Sequence, residues 1–253
     1  MKKLLIALNI IIWSVVAFEV RANPIDDKCN QHVWQGAPVV YKESNNQYLC
    51  RTAYAVNYNY NTKVASYVVE HVVTANLAKT AARKDDFRED PEVPAQHRAT
   101  LSDYTGQGFD RGHMAPAADM TFDAKAMSES FFLTNMMPQV PGNNRGIWKY
   151  LEENTRYWAQ TKGEVYVITG TLFDAQPKMM NKVAIPSQIY KIVIDPKSGK
   201  QIAYLFPNEK LDPKLIDNYA VSVASIETKT GINFSPKLSN NAAEKAVLKL
   251  KDF

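Results

Sequence analysis

Two apolar runs, residues 185–194 and 201–206, flank the break Asp195-Pro196-Lys197-Ser198-Gly199. Proline presets φ and glycine accepts a reversed backbone, so the break predicts a turn and the runs predict antiparallel strands. Residues 52–73, rich in Tyr and Val around Asn59-Tyr60-Asn61, predict a second hairpin, and residues 164–169 a further strand. A chain with this many strand-length runs must build a sheet and cover it.

Helical spacing is confined to three places. Residues 143–160 carry Ile147, Trp148, Leu151, Tyr157 and Trp158, with Asn143 or Asn144 as the expected N-cap. Residues 221–230 are expected to contain a helix ending at Gly231, and residues 240–251 a short amphipathic helix. Residues 130–136 read as a short apolar strand ended by Pro138 and Pro141-Gly142. Residues 80–105, broken by Pro91 and Pro94, read as a long ordered loop of the kind that often carries function. The order is mixed α+β with strands dominating, without repeats or linkers.

The N-terminus bears on compartment. Lys2 and Lys3 precede a mostly apolar run over residues 4–18, and Val20-Arg21-Ala22 supplies a cleavage site. This is the layout of a secretory signal peptide, residues 1–22, against the alternative of an uncleaved anchor. The expectation is a periplasmic or secreted protein with no stable membrane association after cleavage. The remaining residues, 23–253, form one domain with a net charge of about +2. That balance neither requires nor excludes a polyanionic partner, but bases gather between Arg83 and Arg156. In an exported chain the two cysteines, Cys29 and Cys50, read most simply as one disulfide worth about 3 kcal/mol, against two buried thiols.

Chemistry concentrates in two segments. The first is Asp110-Arg111-Gly112-His113, just after Gly106-Gln107-Gly108. An imidazole titrates near neutrality and can accept a proton, and the glycine before it allows close approach or an unusual φ. The second starts thirty residues on, where Asn144 enters a helix that also carries Glu152 and, four residues later, Arg156. Taken alone these are a cap and a surface ion pair. Together they fit phosphodiester hydrolysis. His113 would take a proton from water, and Asn144 would offer an oxygen to a hard cation whose waters Glu152 would hold. Arg111, Arg83 and Arg156 would bind phosphate.

The segments "FREDPEVP", "GFDRGHMAPAADM", "FLTNMMPQVPGNNRGIWKYLEE" and "VYVITGTLF" occur in that order over residues 54–234. In this the chain resembles the DNA/RNA non-specific endonucleases, the ββα-metal (His-Me finger) nucleases that include endonuclease G and secreted bacterial nucleases. The resemblance implies an α+β fold, a mainly antiparallel central sheet with flanking helices and a ββα-metal finger. It implies Mg²⁺, with Mn²⁺ as the alternative, and DNA and RNA bound through their phosphates and cut to 5′-phosphate and 3′-hydroxyl ends. By position it implies His113 as general base, Asn144 as the one direct protein ligand of the metal and Glu152 as the metal-water carboxylate. Arg83 matches a substrate-phosphate arginine, Asn135 an asparagine close to the site, and Arg156 a leaving-group arginine in some members. Asp110 would orient Arg111 or a metal-bound water. Two alternatives share these residues: a catalytically silent nucleic-acid-binding domain, and a phosphodiesterase for small or lipid diesters. Oligomeric state carries no sequence signal.

Overall fold

A computed structural model describes residues 29–40, 45–78, 80–238 and 242–253. The expected leader, residues 1–22, lies outside the described residues. In chain order the strands are β1 (Val39–Val40), β2 (Asn46–Cys50), β3 (Tyr54–Asn59), β4 (Val64–Val73), β5 (Asp110–His113), β6 (Met136–Gln139), β7 (Glu164–Leu172), β8 (Met179–Met180), β9 (Val183–Ala184), β10 (Gln188–Ile194), β11 (Gln201–Pro207), β12 (Ala220–Val221) and β13 (Ile232–Asn233). The α-helices are α1 (Ala124–Glu129), α2 (Lys149–Lys162), α3 (Val223–Thr230) and α4 (Ala242–Lys245).

Seven strands form one sheet in the order β12-β11-β10-β7-β4-β3-β2. Every pairing in it is antiparallel. Its central strands alternate between two cores. In β10, Ile189 and Val193 join Val68, Val167, Ile147, Trp148 and Leu151 on one side. Tyr190, Ile192 and Ile194 join Val223, Ile226 and Phe234 on the other. The two-residue side-chain period of a strand thus gives the sheet two apolar faces, and each face has its own helix layer. Cys29 and Cys50 are joined, with Cα atoms 5.9 Å apart, which ties the N-terminal segment to the edge strand β2. Among the described residues no helix is long and apolar enough to cross a membrane.

The site-side layer is built on β5, β6 and α2. β5 pairs antiparallel with β6, and His113 lies opposite Met136. The close approach requires a glycine at 112: a Cβ there would lie 2.1 Å from Gln139 Oε1 and 2.8 Å from Gln139 Cβ. After β6 the chain makes a widened, π-type turn over Asn143–Trp148, kinked at Gly146 (φ −110°, ψ −108°), before α2 proper. Such widened turns recur at functional sites.

Three expectations are corrected. The strand of residues 130–136 is replaced by the end of α1 and a 3₁₀ turn, Leu133–Asn135, and the strand itself is Met136–Gln139. Neither Asn143 nor Asn144 caps the helix; Gly142 stands at its start, and both amides are engaged elsewhere. The helix expected within residues 221–230 is present: it begins at Val223, capped by Ser222, and ends at Gly231 in the left-handed conformation (φ 69°). The helix expected over residues 240–251 shrinks to the four residues of α4, because Leu248, Leu250 and Phe253 each dock onto the site-side core.

Candidate active site

An open cleft of about 420 Å³ is lined by Arg83, Phe87, Arg111, His113, Asn144, Arg145, Lys149, Glu152 and Arg156, with Pro116, Ala117 and Ala118 closing one side. Residues up to 73 positions apart in sequence, Arg83 to Arg156, therefore meet in one place. β5 supplies Arg111 and His113, the π-type turn supplies Asn144 and Arg145, and α2 supplies Lys149, Glu152 and Arg156.

His113 is half-buried. Its ring stands edge-on to Phe131 at 5.0 Å and tilted against Phe87 at 5.8 Å, and its Nε2 is buried without a hydrogen-bond partner. Burial pulls its pKa down to about 3; the positive charge of Arg83 pulls the same way and Asp85 opposes it. The ring is therefore neutral across the ordinary pH range, with its lone pair unprotonated, though as a weaker base than a free imidazole.

Asn144 is held by Asp110. Its Nδ2 donates to Asp110 Oδ2 at 2.9 Å. A carboxylate only accepts, so this bond fixes which end of the amide faces Asp110 and leaves Oδ1 as the free acceptor. Arg145 grips the same carboxylate through Nε at 2.9 Å and Nη2 at 2.6 Å. Burial pushes Asp110 up, but the bonds from Arg145 and Asn144 and the nearby charges of Arg145 and Arg111 outweigh it and hold the carboxyl below its usual range. Of the two roles expected for Asp110, the bond to Arg111 is not formed: its partners are Asn144 and Arg145. Arg111 instead lays its guanidinium over the Phe87 ring at 4.2 Å, and Arg83 lies 5.0 Å from the Phe131 ring while bonding Asp85 at 2.8 Å.

Glu152 faces the cleft with its pKa raised to about 7, chiefly by burial; the charge of Asp119 adds to the rise, and Lys191 and Arg156 oppose it. Arg156 is anchored by Asp119 at 2.9 Å. Among the described residues no three His, Cys, Asp or Glu side chains cluster as a metal cage. What the cleft offers is one free amide oxygen and one carboxylate, both hard donors. That set suits a cation keeping most of its waters, such as Mg²⁺.

Asn135 does not line the cleft. It is fully buried, accepts from Ala115 N at 2.9 Å and donates to the carbonyls of Ala115 and Ser130, both at 2.9 Å. It clamps the backbone two residues beyond His113. Besides Pro116, Ala117 and Ala118, the lining residues Phe87, Arg145 and Lys149 had no assigned role in the sequence reading. The spacing 145, 149, 152, 156 along one helix face was a signal for the two cations.

The arrangement of half-buried imidazole, carboxylate-locked amide and arginine-rimmed cleft coincides with a family match. The description that fits residues 35–241 is the DNA/RNA non-specific endonuclease. The chain belongs to that family. It is 39% identical over 211 residues to Nuclease C1 of Cunninghamella echinulata var. echinulata, covering 76% of this chain and 83% of the relative. It is 38% identical to mitochondrial endonuclease G of Homo sapiens over 205 residues, 74% of this chain and 69% of that one. Among solved structures it is similar to a chain of the EndoG/EndoGI complex, with a TM-score of 0.74 at 28% identity, covering 83% of this chain and 92% of the other. This member of the non-specific endonuclease family is accordingly a nuclease, with the mixed α+β sheet architecture of its structural relative.

Proposed function

We propose that this nuclease is an exported, Mg²⁺-dependent endonuclease that hydrolyses the phosphodiester bonds of both DNA and RNA, with Mn²⁺ as the alternative metal. One observation carries the reading: His113, Asn144 Oδ1 and Glu152 open onto a single cleft rimmed by Arg83, Arg111 and Arg156.

The neutral ring of His113 accepts the proton of the attacking water as the new O–P bond forms. The bond to the 3′ oxygen breaks and that oxygen takes a proton from solvent water, leaving a 5′-phosphate and a 3′-hydroxyl. Arg83 and Arg111 supply forked donors to the phosphate oxygens, their guanidiniums lying 5.0 Å and 4.2 Å from the Phe131 and Phe87 ring centroids. Arg156, anchored by Asp119, presents a cation on the α2 side of the cleft. Asn144 and Glu152 would hold the metal, Asn144 directly and Glu152 through its waters, with Asp110 keeping the amide oxygen turned outward. When bound there, the cation supplies Lewis acidity at the phosphoryl and departing oxygens. All these groups address phosphate or metal, which fits cleavage without base preference.

Export is supported by the leader-like residues 1–22 and by the Cys29–Cys50 pair, since disulfides persist in oxidising compartments. The deciding variant is His113→Ala. Turnover of plasmid DNA is expected to fall by about 10²–10⁴, the scale of a lost general base, while DNA binding persists. Turnover within a few-fold of the parent would remove His113 from the mechanism and favour a binding or scaffold role for the cleft. A marked preference for a small diester over long DNA would redirect the reading to a small-molecule phosphodiesterase.

A further inference from the structure

Behind the cleft, the sheet face turned towards the site carries a lysine. Lys191 lies mid-strand in β10, is 1% exposed and shares its face with Ile189 and Val193. Its ammonium donates to Thr169 Oγ1 at 2.6 Å and to the Met114 carbonyl at 3.4 Å, and lies 4.8 Å from the Trp148 ring centroid. Met114 directly follows His113. Trp148 stands four residues from both Asn144 and Glu152. One buried cation therefore touches the strand that ends in the base and the turn that joins the two expected metal-holding residues. Among the described residues no carboxylate comes within 4.0 Å of it. Burial pulls its pKa down, and the more distant Glu70, Glu152 and Asp119 pull it back up.

Burying an ammonium without a close counter-ion is costly, and an apolar side chain of similar length would fill the space between Ile189 and Val193 without that cost. An apolar chain would not bind a carbonyl on one side and a ring face on the other. We infer that Lys191 is a positioning residue that ties the strand of His113 to the turn of Trp148 and so fixes the distance between the base and the Asn144 oxygen. The inference rests on the roles given above to His113 and Asn144.

The test compares the full mature protein with Lys191→Met and Thr169→Val at saturating Mg²⁺, measuring kcat and KM on plasmid DNA. In parallel, the His113 ring resonance is followed in histidine-labelled, metal-free protein and assigned by its loss in His113→Ala. Displacements of the order of 1 Å in a catalytic site can cost about 10²-fold in rate. Lys191→Met is therefore expected to lower kcat about 10–100-fold with KM within about threefold. Thr169→Val is expected to lower it less, and the ring resonance should shift in both. A folded Lys191→Met protein with unchanged kcat and an unmoved resonance overturns the inference and leaves Lys191 as packing. If that variant does not fold, Thr169→Val decides alone, and unchanged kcat there overturns it. If the parent cuts no nucleic acid, the nuclease reading fails separately, and the resonance shift alone judges the tether.

Discussion

At the scale of single residues, what matters is which atom of each side chain is left free. Asn144 could offer either end of its amide to the cleft; Asp110 decides the question by accepting the nitrogen, and Arg145 holds Asp110 still. Asp110→Ala should therefore weaken Mg²⁺ affinity about 10–100-fold while leaving a protein that raised Mg²⁺ largely rescues. A metal titration of activity checks this, and an unaltered half-saturation point would contradict it. His113 makes a pH prediction. The ring must be neutral to act, and it is neutral above its pKa, so lowering the pKa moves the acid limb of the rate profile downwards. The sequence alone suggested a rise through roughly pH 6–7, the range of a free imidazole. With burial and Arg83 holding the ring at about 3, kcat/KM at saturating metal should stay flat from pH 8 to pH 6 and fall only below about pH 5. Saturating metal is needed because Glu152, raised to about 7, binds protons in competition with the metal. A limb centred near pH 6.5 would mean that the ring is as basic as in water. The motif made His113, Asn144, Glu152 and the arginines legible, since their chemistry belongs to residue type. It did not make partners legible: nothing in "TNMM" tells that Asn135 spends its whole amide on Ala115 and Ser130.

At the scale of elements, the site depends on β5 and β6 lying close enough to aim His113 across the π-type turn. Gly112→Ala places a methyl 2.1 Å from Gln139 Oε1, and Gln139 Nε2 also donates to Asn143 Oδ1 at 2.9 Å, the residue that pins the turn to β11 through the Pro207 carbonyl. The substitution should cost about 1–3 kcal/mol, seen as a lower urea midpoint at constant slope, with activity falling further than stability explains. An unchanged midpoint would show that Gln139 yields freely. The strands β4, β7, β10 and β11 were readable because their apolar runs are buried on both faces and bounded by turns. β6 was displaced in the reading because Pro138 looked like a terminator. In a two-stranded ribbon, however, proline can occupy a position that need not donate. The C-terminal helix failed for a tertiary reason: Phe253 packs on Trp158 at 4.8 Å and Lys200 bonds the Asp252 carbonyl, so the last residues follow their contacts rather than their 3.6-residue pattern.

At the scale of the whole molecule, one antiparallel sheet carries two cores, and the layer that bears the cleft occupies one of its faces. The disulfide restrains the opposite layer at edge strand β2, where a loop of this length contributes about 3 kcal/mol, so the cleft and the staple are spatially separate. The central claim is that His113 and a cation held at Asn144 act on one phosphorus from the two walls of a single cleft. The most direct measurement is digestion of plasmid DNA and of RNA by the purified protein with Mg²⁺, with EDTA, and with EDTA followed by excess Mg²⁺. Both substrates should be cut with the metal, spared with the chelator and cut again on restoration. Cleavage that continues undiminished in EDTA would contradict the account.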